Sequence, residues 1–220
     1  MKKLSLAIVF FFITIFWISA QTAVITELAG TVEYKHAGEA DWKIASRGMS
    51  LASDTVISTG FKSSALLQMG SSVITVKPLT RLTLAELSAA SGSETINVSL
   101  QAGRIRVSVD PPQGVRTSMT VRGPSATASV RGTEFEFDTL NLVVLEGTVE
   151  FTGSSSLVPV IVDGGRFSYL DEQSGRGALP EDTALLDLKP ELPVGSKALP
   201  SMDQTTPAEN TVELQAGIKF

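Results

Sequence analysis

The sequence contains no cysteine, and this absence excludes several kinds of chemistry. Disulfides, iron–sulfur clusters, thiolate zinc sites, thiol nucleophiles and a lipid anchor on an N-terminal cysteine all require that residue. The fold must therefore be stabilised by the burial of apolar side chains and by backbone hydrogen bonds alone.

Histidine is almost absent too, since His36 is the only one and lies in a polar stretch typical of a solvated loop. A Ser–His–Asp arrangement would have to use it, and no Gly-x-Ser-x-Gly, Ser-x-x-Lys, phosphate-loop or calcium-loop motif is present. Glu134 and Glu136 lie two residues apart in a predicted strand, so we expect both on one exposed face. We predict a protein that is not an enzyme and has no cofactor or metal ion.

Basic residues are sparse relative to acidic ones. The chain has 18 Lys and Arg residues against 23 Asp and Glu, a net charge of −5, and losing Lys2 and Lys3 would make it −7. Proteins that bind nucleic acid neutralise phosphates with clustered cations. No such cluster occurs here, which excludes a nucleic acid partner.

The first twenty residues have the three-part pattern of a secretory signal peptide. Lys2 and Lys3 precede an almost unbroken apolar run, 4–18, and polar composition returns after Ala20. The run is shorter than the roughly 20 residues that span a bilayer. We therefore predict cleavage after residue 20, export to the periplasm or cell envelope, and no stable membrane span afterwards. Ile18 is large for its position before the cut, so a retained N-terminal anchor stays an alternative.

Short alternating runs separated by glycine and serine predict an all-β domain over residues 21–172. In the run 96–100, for example, Ile96, Val98 and Leu100 fall on one face, because successive strand side chains point in opposite directions. Many short strands with frequent turns indicate an antiparallel sandwich or roll. The segment 80–90 has some helical spacing, but its threonine and serine favour a strand followed by a loop.

A weak internal repeat adds a repetitive, solenoid-like sheet as an alternative architecture. The sequence Leu-Ala-Gly-Thr-Val-Glu-Tyr at 28–34 recurs as Leu-Glu-Gly-Thr-Val-Glu-Phe at 145–151. Related forms follow Gly103 and Gly165. Each copy places a glycine just before a strand, where it permits a bulge or a positive φ.

Residues 173–220 differ in composition from the rest. Proline punctuates 173–210, which we interpret as a linker or tail, with a short helix predicted to start at Pro180 and run through Leu188. Residues 211–220 alternate again and predict a terminal strand that docks on the domain or on a partner.

Three residues are candidate partner or ligand contacts. Trp42 has an aromatic ring suited to stacking, although anchoring a core is the commoner role of tryptophan in a small β domain. Tyr34 is a second aromatic candidate. Arg131 could bind a carboxylate through its planar guanidinium, with pairing inside the protein as the alternative.

Read in order, the motifs resemble the FecR domain of bacterial envelope proteins. The resemblance covers roughly residues 23–169, and its most specific parts are Val-Arg-Gly-Thr-x-Phe at 130–135 and Glu-Gly-x-Val at 146–149. The positions it marks as structural are Gly30, Gly60, Gly70, Gly132, Thr133, Phe135 and Gly147.

The resemblance implies a β-rich periplasmic domain. In the family's namesake regulators, this domain receives a signal from an outer-membrane receptor and passes it across the inner membrane to a sigma factor. Those regulators carry a cytoplasmic region and a transmembrane helix first, whereas this sequence begins with a predicted signal peptide, so we expect no direct contact with a sigma factor. The first hypothesis is a protein-interaction or signalling module with an envelope protein as partner. The alternative is a module that binds cell-wall glycan through Trp42 and Tyr34.

Overall fold

The structure, a computed structural model, describes residues 22–90, 92–156, 158–171 and 173–185. Nearly all of the regular structure is β, and the helical part of these residues is one 3₁₀ turn, η1 (Thr183–Leu185). The prediction of an all-β domain is therefore confirmed. The predicted signal peptide (1–20) and terminal strand (211–220) lie outside the described residues.

The strands are short and follow one another closely along the chain. In chain order they are β1 (Ala23–Ala29), β2 (Val32–Lys35), β3 (Lys43–Ile44), β4 (Ser50–Leu51), β5 (Val56–Thr59), β6 (Ser64–Met69), β7 (Ser72–Val76), β8 (Arg81–Ala90), β9 (Ser93–Ala102), β10 (Ile105–Val109), β11 (Arg116–Arg122), β12 (Ala126–Val130), β13 (Glu134–Phe137), β14 (Asn141–Glu146), β15 (Thr148–Gly153), β16 (Val160–Asp163), β17 (Arg166–Asp171), β18 (Arg176–Gly177) and β19 (Glu181–Asp182).

These strands form two open sheets. The first, called sheet A here, has the order β18-β17-β14-β13-β10-β7-β6-β1-β4, with β19 also paired to β17. The second, sheet B, has the order β16-β15-β12-β11-β9-β8-β5-β2-β3. Neighbouring strands are antiparallel except β9 and β11, which run parallel with Met119 opposite Ile96.

One apolar core lies between the two sheets. Burial alternates along the strands, as in β6, where Ala65, Leu67 and Met69 are buried and their neighbours are not. Phe137 of sheet A and Phe151 of sheet B meet edge to face across the core, with ring centroids 6.2 Å apart. The architecture is therefore a sandwich in which each sheet contributes one face.

The chain moves from sheet to sheet many times, and within the described residues each crossing contains a residue with positive φ. These residues are Gly30, Gly48, Asp54, Lys62, Leu79, Gly103, Gly114, Gly132, Gly147 and Gly165. A left-handed residue reverses the local direction of the chain, which lets a strand leave one sheet and enter the other. Both copies of the Leu-x-Gly-Thr-Val-Glu-aromatic repeat cross from sheet A to sheet B at their glycine.

Two predictions in this region need correction. Residues 81–90 form strand β8 throughout rather than a strand and then a loop, because β8 pairs with β9 up to its last residue, Ala90. The helix predicted to start at Pro180 is wrong at its start, since Glu181 and Asp182 form β19 and pair with Phe167 and Arg166 of β17. The sheet thus continues beyond residue 172.

Candidate functional site

Trp42 lies on the outer face of sheet B, between two cations. The Nζ of Lys35 is 5.2 Å and the Cζ of Arg81 is 5.3 Å from the centroid of its ring. Among the described residues, neither cation forms an ion pair with a carboxylate. Because Leu82, the next residue after Arg81, is fully buried, Arg81 points away from the core. Lys35 and Arg81 therefore place positive charge beside the Trp42 ring at the outer surface of a protein with a net negative charge.

The other aromatic candidate, Tyr34, lies on the opposite face of sheet B. Its ring packs against the core cluster, on the same side of β2 as the buried Val32. The ring also meets the imidazole of His36 edge to face, with centroids 5.1 Å apart. The structure therefore does not bring Tyr34 and Trp42 together on one surface.

Arg131, the third candidate, is exposed at the crossing from β12 to β13. It lines a shallow depression of about 520 Å³ with Pro111, Val115, Arg116 and Ser118, among others. Within the described part of the chain, the guanidinium makes no hydrogen bond or ion pair. Its planar donors are thus available at the surface.

The residues marked as structural by the family motifs occupy sheet crossings, turns and the core. Gly30, Gly132 and Gly147 have φ values of 69°, 66° and 83° at crossings, and Gly70 has a φ of 53° in the hairpin between β6 and β7. Gly60 donates its N–H to the carbonyl oxygen of Thr31 at 2.9 Å. Phe135 is fully buried, and the hydroxyl of Thr133 donates to the carbonyl of Thr148 at 3.3 Å.

Ion pairs cover part of the outer face of sheet A. Arg106 donates two hydrogen bonds to Glu134 Oε1, at 2.9 and 2.7 Å, and lies 3.7 Å from Glu136. The two glutamates share one face, as the sequence predicts, opposite the buried Phe135 and Phe137. Both carboxylates are paired with Arg106 along the strand face, so the arrangement is that of a surface ion-pair network.

Asp138 continues this row of charges beside a groove of about 580 Å³ lined by Lys77, Leu79 and Leu140, among others. Burial raises the pKa of its carboxyl, but hydrogen bonds from Arg104 and from the backbone N–H groups of Asn141 and Leu140 outweigh burial. The pKa of Asp138 therefore lies below its usual value, and the carboxylate stays charged at neutral pH.

The edges of the two sheets differ in length. Strands β3 and β4 have two residues each, and β18 and β19, which flank β17, are equally short. In contrast, β16 has four residues and forms the end of sheet B. Its Ile161 is 53% exposed, and Val158 just before it is 58% exposed. Natural proteins usually protect such edges with charge or by shortening them, so an exposed apolar edge strand indicates a contact.

Backbone geometry shows which groups of β16 face the open edge. Gly164 donates its N–H to the carbonyl oxygen of Gly147 at 2.8 Å. Hydrogen-bonded and non-bonded pairs alternate in an antiparallel ladder, so Val160 and Val162 also bond to β15. Ile161 and Asp163 lie between them and turn their N–H and C=O groups away from β15. Among the described residues these outward groups have no hydrogen-bonding partner.

Residues 55–150 match the sequence model of the FecR protein family, which confirms the resemblance seen in the motifs. The chain carries a FecR domain. The match runs from the start of β5 into β15, a narrower span than the 23–169 that the motifs suggest. Arg131 lies within the matched part of the FecR domain, whereas Tyr34, Trp42 and β16 lie outside it.

Two crystal structures of a candidate anti-sigma factor from Parabacteroides distasonis ATCC 8503 are similar to this chain. Each is 16% identical, with a TM-score of 0.46, over 58% of this chain and 59% of the solved chain. The chain thus matches less than two thirds of the length of those proteins. The search of curated proteins gives no match.

Sequence reasoning identified the motifs of the FecR domain but missed the open edge of sheet B at β16. The residues 160–163 alternate like many other strands, and nothing in their pattern shows which strand ends a sheet. One signal was that Ile161, on the outward parity, is apolar, as the exposed Ile44 of β3 is, whereas the adjacent strands β15 and β12 carry threonine, serine and glutamate there. No helix of the described residues has the length and apolar character to cross a bilayer.

Proposed function

We propose that this chain is an exported, non-enzymatic signalling or regulatory module of the bacterial cell envelope that binds a protein partner by strand addition to β16. The FecR domain supports the regulatory class. The N-terminal pattern of charge, apolar run and small residue supports export.

The open edge of β16 is the observation that carries this proposal. Ile161 and Asp163 present backbone donors and acceptors to solvent, and an extended segment of a partner would satisfy all of them. Alternate side chains of that segment would lie beside the buried Val162 or beside the exposed Ile161. The main chain would thus provide affinity, and an apolar residue of the partner beside Ile161 would provide specificity.

Replacing Ile161 with proline should weaken partner capture about tenfold or more, because it removes an outward N–H and leaves an acceptor of the partner unsatisfied, at about 1–3 kcal/mol. Ile161→Val is the matched control, since it keeps the N–H and an apolar, β-branched side chain. Capture from envelope extracts, quantified for each variant, measures the effect.

The control variant should capture the partner within about threefold of the unmodified chain, given that a surface substitution shifts free energy by about 0.5 kcal/mol. Both variants should unfold at similar urea concentrations. Full capture by Ile161→Pro would contradict strand addition at this edge.

Binding of an acidic cell-wall glycan is the second candidate, and Lys35 and Arg81 beside Trp42 favour it. An aromatic ring can stack on a sugar while unpaired cations attract its carboxylates. Tyr34 has no part in this version of the hypothesis, because its ring faces the core.

Trp42→Ala should reduce the amount of protein that sediments with purified peptidoglycan at least about tenfold if this second function holds, since truncating a tryptophan that anchors a binding site costs about 2 kcal/mol or more. Phe61→Ala is the control, since Phe61 is 74% exposed and lies at the crossing from β5 to β6. Equal sedimentation of both variants would contradict glycan binding at Trp42.

A further inference from the structure

The chain leaves the described fold directly beside the open edge. The N–H and the hydroxyl of Thr183 both donate to the carbonyl oxygen of Gly165, at 2.9 and 3.0 Å. Gly165 comes two residues after Asp163, which ends β16. Thr183, near the end of the described residues, therefore lies close to the end of β16.

A segment further along the sequence has the pattern that this edge requires. Within residues 211–220, every second residue is apolar: Val212, Leu214, Ala216, Ile218 and Phe220. The alternate positions are Thr211, Glu213, Gln215, Gly217 and Lys219. This alternation predicts a strand with one apolar face, and such a face requires a sheet to cover it.

The connection is long enough to reach β16. Residues 186–210 span at most about 80–90 Å when extended, at about 3.3–3.6 Å per residue. A sheet of nine strands spaced about 4.8 Å apart is only about 40 Å wide. A tether of this kind gives an effective concentration on the order of 1 mM, so even a strand with a dissociation constant of ~0.1 mM would be bound about nine-tenths of the time.

We infer that residues 211–220 add to β16 as a further strand of sheet B in the free protein. Among the described strands at the ends of the two sheets, β16 is the longest, with four residues, whereas β3, β4 and β18 have two each. The apolar parity of the segment would face sheet A, continuing the row of Val160 and Val162, and the polar parity would lie beside Ile161. The consequence for regulation rests on the proposed function. A partner that adds a strand to β16 would first have to displace residues 211–220, so this segment would inhibit partner binding in the free protein.

Residue-resolved amide exchange in the full chain tests the pairing. Val160 and Val162 bond to β15, so their amides should exchange slowly whether or not the segment is bound. The amides of Ile161 and Asp163 should be slow only if residues 211–220 cover them. Slow exchange at Val160 and Val162 shows that β16 is folded in each variant. A change confined to Ile161 and Asp163 therefore reports on the added strand alone.

Leu214→Asp should speed exchange at Ile161 and Asp163 about tenfold or more, since it places a charge on the apolar face. Gln215→Asp, on the opposite parity, is the matched control and should leave all four amides slow. Fast exchange at Ile161 and Asp163 in the unmodified chain would overturn the inference. Fast exchange at these two amides in Gln215→Asp, with slow exchange in Leu214→Asp, would also overturn it.

The edge of β16 could instead bind residues 211–220 of a second copy of the chain. Because the sequence contains no cysteine, engineered disulfides distinguish the two arrangements directly. Ile161→Cys combined with Gln215→Cys should form a disulfide within one molecule under oxidising conditions. Thr120→Cys, on β11 in the middle of sheet B, combined with Gln215→Cys should not. Disulfide-linked dimers without the intramolecular product would show that a second copy occupies the edge and would overturn the inference.

Partner capture separates a failure of the proposed function from a failure of this inference. If both are right, Leu214→Asp releases the edge and increases capture from envelope extracts about tenfold, relative to Gln215→Asp. If amide exchange shows the pairing but Leu214→Asp leaves capture unchanged, the proposed partner site is wrong and the pairing stands. If capture falls with Ile161→Pro but the amides of Ile161 and Asp163 exchange fast in the free chain, the pairing is wrong.

Discussion

Replacing Gly103 with alanine is expected to lower the free energy of unfolding by about 2–4 kcal/mol. Gly103 lies at the crossing from β9 to β10 with a φ of 88°, which costs an L-residue about 1–2 kcal/mol. An added Cβ would also lie 2.5 Å from the Cα of Thr80 and 2.7 Å from the carbonyl oxygen of Leu79, so backbone would have to move, at about 1–3 kcal/mol. Alanine also lowers the conformational entropy of the unfolded chain, which reduces this loss of stability by about 0.4–1 kcal/mol.

Gly114→Ala is the matched control for this substitution. Its φ is 83°, close to that of Gly103, but an added Cβ would meet no atom within 4 Å. We expect a loss of about 1 kcal/mol, from backbone conformation alone. Urea unfolding followed by circular dichroism measures both variants, and equal losses would show that the contact between Gly103 and Thr80 does not constrain the crossing.

The close approach at Gly103 belongs to a pattern that the sequence partly revealed. At three places a crossing glycine packs against a hydroxyl residue of a neighbouring crossing, as Gly30 does on Ser63, Gly103 on Thr80 and Gly147 on Thr133. The repeated glycine before a strand predicted a bulge or a positive φ at these positions, because such a backbone conformation has a local signature. The partner hydroxyls could not be predicted, since they lie 14 to 33 positions away along the chain.

The buried and exposed faces of each strand could also be predicted, because they too depend on local sequence. Alternation places Phe135 and Phe137 inside and Glu134 and Glu136 outside whatever the order of the strands. Strand order is set by long-range pairing, and the parallel neighbours β9 and β11 show how far it departs from sequence order. The open edge at β16, and the separation of Tyr34 from Trp42 by the sheet, follow from that order and therefore required the structure.

Replacing Phe137 with alanine should lower the free energy of unfolding by about 3–5 kcal/mol, which for a domain of this size is a large part of the whole. The ring is 1% exposed and lies edge to face with Phe151 at an interplanar angle of 74°. Its removal takes away both its burial and its contact with the opposite sheet. Phe61→Ala is the control of the same residue type, because a ring that is 74% exposed should contribute within about 0.5 kcal/mol.

A double-mutant cycle isolates the contact that joins the two sheets. Phe137→Ala and Phe151→Ala, made singly and together, should show a coupling free energy of about 0.5–1.5 kcal/mol in urea unfolding, as edge-to-face aromatic pairs do. A coupling near zero, with large losses for each single variant, would mean that each ring is stabilised by its own sheet. Coupling of the expected size would instead show that the sandwich folds as one cooperative unit. A strand added at the edge of sheet B, whether from a partner or from residues 211–220, would then stabilise sheet A as well.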